Sequence, residues 1–155
     1  MQRHRAGFTV IEMLIAVVIG SILTTVALSR ISGAQTRIAV RGAQSTYAAI
    51  HYRARVHGIE KGRNVMLHVE TLGDSVWIED NGTVLEKIRF GDDNIDMRIR
   101  SPSTLTEYTL CFTPRGYTDT NCNTTTSTWT RMFMRQGADS LGMWIFPLGQ
   151  VTLDQ

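Results

Sequence analysis

One carboxylate stands inside the apolar N-terminal segment of this sequence. The segment runs from Phe8 to Leu28 and holds 21 residues with a single charged side chain, Glu12. A carboxylate costs about 2.5–3.5 kcal/mol at the middle of a bilayer and less near its surface, and Glu12 lies near one end of the segment. Pairing with a cation lowers the cost of burying a charge. Glu12 is therefore either a tolerated interfacial residue or the partner of a cation that another group supplies.

The histidines form no pattern typical of catalysis or metal binding. His51 and His57 are six residues apart, which places them on different faces of a helix, and His68 belongs to no metal-binding motif. The sequence also lacks a nucleophile elbow, a phosphate-binding loop and a dinucleotide-binding glycine motif. We therefore predict that the protein is not an enzyme, with no catalytic residues, no cofactor and no metal ligands.

An acidic segment at positions 92–96, Asp92-Asp93-Asn94-Ile95-Asp96, places oxygen ligands at alternate positions. The first half of a calcium-binding loop has this spacing, but the bidentate glutamate that should follow is missing. Asp and Asn are also favoured in turns, where their side chains bond to the nearby backbone. We interpret the segment as a turn, and calcium binding stays the alternative.

The apolar segment predicts a membrane-spanning helix. At a rise of 1.5 Å per residue, the segment 8–28 spans roughly 30 Å, the thickness of the hydrocarbon layer. The residues before it are short and basic, with Arg3 and Arg5, and such flanks stay on the cytoplasmic side. We expect a single pass, with everything after Leu28 on the opposite side of the membrane, which in a diderm bacterium is the periplasm.

The two cysteines, Cys111 and Cys122, then lie in a compartment where disulfides form. The sequence contains no CxxC motif, and no histidine lies near either cysteine in sequence. We predict a disulfide between them, and two free thiols are the alternative.

Beyond the membrane, apolar residues continue at helical spacing and then at a spacing of two. An amphipathic continuation of the helix is expected over 29–57, ended by Gly58, with an apolar stripe of Ile31, Ala34, Ile38, Tyr47, Ile50 and Ala54. From residue 58 to 155, about eight short strands predict an antiparallel β domain. Asn81-Gly82 between two apolar runs predicts a hairpin with a type I′ turn.

An ordinary secretory signal peptide is the main alternative to a retained membrane helix. Such a peptide would be cleaved near Ala27-Leu28-Ser29. Its apolar core would be about 7–15 residues long and would contain no acidic residue. The segment here is longer and carries Glu12, which argues against this interpretation.

The N-terminal sequence resembles the processing site of type IV pilins and type II secretion pseudopilins. The resemblance rests on a basic leader, then Gly7-Phe8-Thr9-Val10-Ile11-Glu12, then an apolar helix. It implies that a prepilin peptidase removes the leader 1–7 between Gly7 and Phe8 and methylates the amine of Phe8. It also implies that Glu12 neutralises the Phe8 amine of a neighbouring subunit during assembly.

The order of elements, with Phe112-Thr113-Pro114-Arg115-Gly116 after a strand, resembles the GspH/FimT group of minor pseudopilins and minor pilins. The resemblance implies an α+β fold of the pilin-like GspH type: a long N-terminal transmembrane helix followed by an antiparallel, sandwich-like β domain. It implies a minor pseudopilin near the tip of a type II secretion filament. Its partners would be the prepilin peptidase, other pilins or pseudopilins and the inner membrane, with a secreted protein or the secretin as further candidates.

A minor pilin of a type IV pilus, of the FimT kind, is the alternative function and would include DNA uptake. DNA-binding members carry Gly-Arg-x-Arg near the C-terminus, where this sequence has Gly149-Gln150-Val151-Thr152. The whole chain has 16 basic and 14 acidic residues, and loss of Arg3 and Arg5 with the leader leaves 14 of each. A balanced charge does not favour nucleic-acid binding. Nucleic acid is therefore not among the partners we predict.

Overall fold

The structure, a computed structural model, describes residues 8–101, 103–123 and 129–154, and of residues 28–32, 101 and 103 it describes the backbone alone.

A threonine caps the first helix. Helix α1 is Val10–Lys61. The hydroxyl of Thr9 accepts a hydrogen bond from the N–H of Glu12 at 3.3 Å, which satisfies one of the free donors of the first turn. The chain divides into two units, with the boundary inside α1 between Gln35 and Thr36.

The prediction that the helix ends at His57 is wrong. The helix continues to Lys61, and Gly62, with φ of 63°, is the left-handed residue that follows it. Gly58 lies inside the helix instead. A Cβ atom there would lie 3.2 Å from the carbonyl oxygen of Phe112, so the glycine lets a strand end approach the helix.

In the described part of the chain, nine antiparallel strands form two sheets. The strands are β1 Val65–Glu70, β2 Ser75–Asp80, β3 Thr83–Arg89, β4 Asp96–Ser101, β5 Ser103–Leu105, β6 Glu107–Phe112, β7 Thr130–Gln136, β8 Asp139–Ile145 and β9 Val151–Leu153. One sheet has the order β3-β2-β1-β6 and the other the order β5-β4-β7-β8-β9. The predicted antiparallel β architecture is confirmed, and β5 is the strand that the sequence did not indicate.

The predicted hairpin at Asn81-Gly82 is present. Asp80 pairs with Thr83 across it, and the two central residues have φ of 51° and 79°. Two successive positive φ values are the requirement of a type I′ turn, which suits the twist of the flanking strands.

Within the unit 36–155, one face of α1 and both sheets share a hydrophobic core. The helix contributes Val40, Ala43, Tyr47, Ile50 and Ala54. The last three belong to the predicted stripe. Ile38 and Ala34 were also predicted for that stripe but lie outside the core, because the side chain of Ile38 is 70% exposed and Ala34 is exposed as well. The side chain of Ile31 lies outside the described part of the chain.

Candidate functional site: an N-terminal assembly helix and a β domain

The first candidate site is the apolar part of α1. Residues Val10–Ala27 are long and apolar enough to cross a membrane, and none of them is buried within this chain. Three hydroxyl groups interrupt the apolar surface, and each donates to a backbone carbonyl of the same helix: Ser21 to Val18, Thr24 to Gly20 and Thr25 to Ser21, at 2.8–2.9 Å. These bonds remove the cost of placing hydroxyl groups in lipid or in a filament core.

The predicted processing and assembly residues are Gly7, Phe8 and Glu12. Gly7 is outside the described residues, and the side chain of Phe8 is 77% exposed. Glu12 occupies the first turn, three residues after the capping Thr9. A carboxylate in the first turn is stabilised by the positive end of the helix dipole. The Thr-x-x-Glu spacing is that of a capping box, and the structure contains one of its two bonds, from the N–H of Glu12 to the hydroxyl of Thr9.

Cys111 and Cys122 are joined by a disulfide, with Cα atoms 5.7 Å apart. Cys111 is fully buried in β6, and its N–H donates to the side-chain oxygen of Asn123 at 2.8 Å. The carbonyl of Cys111 accepts from the N–H of Asp119, also at 2.8 Å. The bridge and these two bonds hold the segment that follows β6 against the strand.

The acidic segment forms a turn. Gly91–Asp93 is a short 3-10 helix that ends at Asn94 in the left-handed conformation, with φ of 57°. Asp96 lies 3.1 Å from the guanidinium of Arg98. In the part of the chain that the structure describes, no three His, Cys, Asp or Glu side chains come together as metal ligands would.

The histidines have structural surroundings. His51 is buried, and burial, with a smaller effect from the charge of Arg55, lowers its pKa from 6.5 to about 4. Asp80 receives two hydrogen bonds from Arg63, at 2.7 and 2.6 Å, and these lower the pKa of its carboxyl. His57 lies 3.4 Å from the same carboxyl. The cluster ties the end of α1 to β2.

The outer face of the larger sheet carries four arginines. Met97, Ile99, Met132 and Met134 point into the core, so the alternating Arg98, Arg100, Arg131 and Arg135 lie on the opposite face. Asp96 and Asp154 neutralise two of them, Arg98 at 3.1 Å and Arg131 at 2.7 Å. The guanidinium of Arg131 also lies 4.7 Å from the ring centres of Phe133 and Trp144. The four arginines lie together because β4 and β7 are neighbours in the sheet. The C-terminal residues 149–152, which the sequence analysis considered for DNA binding, could not reveal this arrangement.

Comparison with known proteins supports the interpretation of the N-terminal segment. A family described as "Prokaryotic N-terminal methylation motif" matches residues 2–28. The match covers nearly all of the predicted leader, the predicted cleavage position and the apolar segment together. An ordinary signal peptide would not explain the motif, which supports the resemblance stated above. No curated protein matches the sequence.

Two crystal structures of one protein have a similar fold. They are two crystal forms of the type IV minor pilin FimU from Pseudomonas aeruginosa strain PAO1, each 16% identical to this chain. The TM-scores are 0.55 and 0.52. The matches cover 75% and 74% of this chain, and 88% and 92% of the FimU chains. The chain is therefore similar to type IV pilin-like proteins in its N-terminal motif and in its fold, an apolar N-terminal helix followed by an antiparallel β domain.

Proposed function

We propose that the chain is a minor, structural subunit of a type IV pilin-like filament. The observation that carries the proposal is the match of residues 2–28 to the methylation motif, because this segment includes the apolar helix Val10–Ala27, none of which is buried within its own chain. A surface of this size needs lipid before assembly and neighbouring subunits afterwards. We place the helix 8–28 in the inner membrane, residues 1–7 on the cytoplasmic side as a leader, and the rest in the periplasm.

Two filament systems remain, and one observation favours each. The similarity of the fold to a type IV minor pilin favours a minor pilin that takes part in pilus assembly. The absence of arginines at Gln150 and Thr152 argues against a role in DNA uptake but not against that assembly role. A minor pseudopilin of type II secretion is the second candidate, because the GspH-like resemblance includes such proteins. We rank the pilus first. Deletion of the gene should then abolish surface pili, and loss of protein secretion alone would favour the second candidate.

Processing provides the first test. Cleavage between Gly7 and Phe8 should give a membrane-extracted protein that begins at Phe8 and carries one methyl group on its N-terminal amine. The reason is that the resemblance to prepilins implies cleavage after the glycine, and the matched segment 2–28 includes Gly7 and Phe8. Intact-mass measurement and N-terminal sequencing detect both changes. An N-terminus beyond Leu28 would instead identify a secretory signal peptide and contradict the proposed function.

The charge of Glu12 provides the second test. Glu12→Ala and Glu12→Gln should both leave processing intact and reduce incorporation into the filament by at least about tenfold, the order expected for loss of a close charge pair at an interface. Cross-linking of the variants to other pilin-like subunits, quantified in sheared filaments, measures incorporation.

The matched control is Met13→Ala, one residue along the same exposed apolar helix. This variant should be processed and incorporated nearly as the wild type, because no charge is lost. Normal incorporation of Glu12→Gln would show that the charge of Glu12 is tolerated and not required, and the pairing with Phe8 would be wrong.

Weak DNA binding is the third expectation. Acids neutralise two of the four arginines on the larger sheet, and Arg135 donates to the carbonyl of Gly137 at 2.9 Å. We expect the full-length protein in detergent to bind duplex DNA no more tightly than about 1 µM, with a strong dependence on salt. Titration with labelled DNA at physiological salt measures this. Tighter binding that weakens in Arg100→Ala would restore the DNA-uptake function.

A further inference from the structure

The turn after β6 lies against the last turn of α1. The N–H of Thr113 donates to the carbonyl of Tyr117, and the N–H of Gly116 donates to that of Thr113, both at 2.9 Å. Gly116 has φ of 78°, and a Cβ there would lie 2.8 Å from Cδ1 of Ile59 on the helix. The Pro-Arg-Gly motif thus ends in the one residue that permits this approach. The turn presents Tyr117 and Arg115 beside the end of the helix.

A second turn, between β8 and β9, is bound to the first. The hydroxyl of Thr118 donates to the carbonyl of Pro147. Gly149 closes the turn through its N–H, 2.9 Å from the carbonyl of Phe146. Its φ is 79°, and a Cβ would lie 2.8 Å from the methyl group of Thr118. Both turns are therefore held in fixed positions.

A groove of about 380 Å³ lies between α1 and the second turn with β9. We call it the Arg55 groove; Ala48, His51, Tyr52, Arg55, Gly149, Gln150, Val151 and Leu153 line it. The imidazole Nε2 of His51 is buried without a hydrogen-bond partner among the described residues. Large apolar side chains stand exposed in and beside the groove and on the two turns: Tyr52, Ile59, Tyr117, Phe146, Leu148 and Leu153. A concentration of exposed apolar side chains on fixed elements is typical of a binding surface.

The charge at the Arg55 groove is unbalanced. Five other arginines of the described chain lie within 4 Å of a carboxylate: Arg37, Arg53, Arg63, Arg98 and Arg131. Neither Arg55 nor Arg115 has such a partner among the described residues, and no acidic side chain lines the groove. Arg115 donates instead to the phenol oxygen of Tyr117 at 3.3 Å. An occupant of this surface is therefore expected to supply carboxylates together with apolar side chains.

We propose that the Arg55 groove and the two turns dock an acidic, apolar surface of another filament subunit. One apolar side chain of the partner enters the groove, and carboxylates beside it pair with Arg55 and Arg115. Arginine suits this role because its planar donor fork matches a carboxylate. The identity of the partner as a filament subunit rests on the proposed function, whereas its chemistry rests on the groove.

Photo-cross-linking from the full-length chain in cells tests the proposal. Leu148→p-benzoylphenylalanine places the probe on the second turn, and Leu72→p-benzoylphenylalanine places it on the exposed β1–β2 turn as a control. We expect a cross-link from position 148, with a partner peptide that contains Asp or Glu. Adding Arg55→Glu should lower the yield at least about tenfold, because like charges would then meet at the interface. Adding Arg41→Glu, an exposed arginine elsewhere on α1, should not.

Each result decides the proposal. Equal yields with Arg55→Glu and Arg41→Glu, or a yield at position 148 no higher than at position 72, would overturn it, as would a cross-link to DNA. A partner that is acidic but outside the filament would overturn its identification as a subunit. The N-terminus of the mature protein, determined separately, shows whether the proposed function has failed as well. Unchanged denaturant unfolding of every variant, followed by tryptophan fluorescence, shows that the domain has folded.

Discussion

Lowering the pH from 6.5 to 4 is expected to reduce the free energy of unfolding of the globular unit by about 3 kcal/mol through His51 alone. In the unfolded chain His51 binds a proton near pH 6.5, whereas burial in the folded unit lowers its pKa to about 4. Between these values the unfolded state holds a proton that the folded state does not. Stability is therefore lost as the pH falls through this window, and the loss is complete near the lower value.

Denaturant unfolding of the full-length protein in detergent measures the effect. Trp77, Trp129 and Trp144 all lie in the unit 36–155, so tryptophan fluorescence reports on that unit. The comparison variant is His51→Leu, which removes the titrating group and its unpaired Nε2 while keeping an apolar side chain in the core. The difference between wild type and variant cancels the contributions of other titrating groups. The same pH dependence in both proteins would contradict the prediction.

The two carboxyl groups with lowered pKa values affect the free energy of unfolding at a different pH. The hydroxyl of Thr36 and, to a smaller extent, Arg37 lower the pKa of Asp139, and Arg63 lowers that of Asp80. Both acids are ionised in the folded state above their ordinary value of 3.8, so their stabilising effect is lost only as the pH falls below it. The window of His51 lies above this range, which keeps the two effects separate.

Features that depend on a few neighbouring residues could be predicted from the sequence. The hairpin at Asn81-Gly82 follows from the positive φ values that those two residues tolerate. The apolar segment 8–28 and the predicted cleavage motif likewise depend only on residues that are close together in the sequence. Alternating strands such as β1 and β7 were also visible, because each of these two buries one face.

Features that depend on distant contacts could not be predicted in this way. Gly58 is of the residue type that commonly ends helices, yet it lies inside α1. A glycine is needed there because the carbonyl of Phe112 approaches the helix closely. Ile38 has the spacing of a core residue, yet the sheets cover the neighbouring Val40 instead. The Arg55 groove is a further case, since the glycines that close its turns, Gly116 and Gly149, are far apart in sequence. Their positive φ values and close contacts appear only when the turns meet the helix and each other.

Opening the Cys111–Cys122 disulfide is expected to lower the free energy of unfolding by about 3 kcal/mol, because the bridge closes a loop of about 12 residues in the unfolded chain. Denaturant unfolding of oxidised and reduced protein measures the loss. The control is the double variant Cys111→Ala with Cys122→Ala, whose stability should not respond to the reductant. Unchanged stability of the reduced wild type would contradict the prediction.

The same bond is expected to affect docking, because the turn Thr113–Tyr117 lies inside the loop that it closes. In oxidised protein the loop is held at both ends, and Tyr117 and Arg115 are fixed beside the helix. Without the bridge, the turn must lose conformational entropy each time a partner binds. The cross-link from position 148 should therefore weaken in the double alanine variant even where the unit stays folded. An unchanged yield would show that the bridge stabilises the fold without ordering the docking surface.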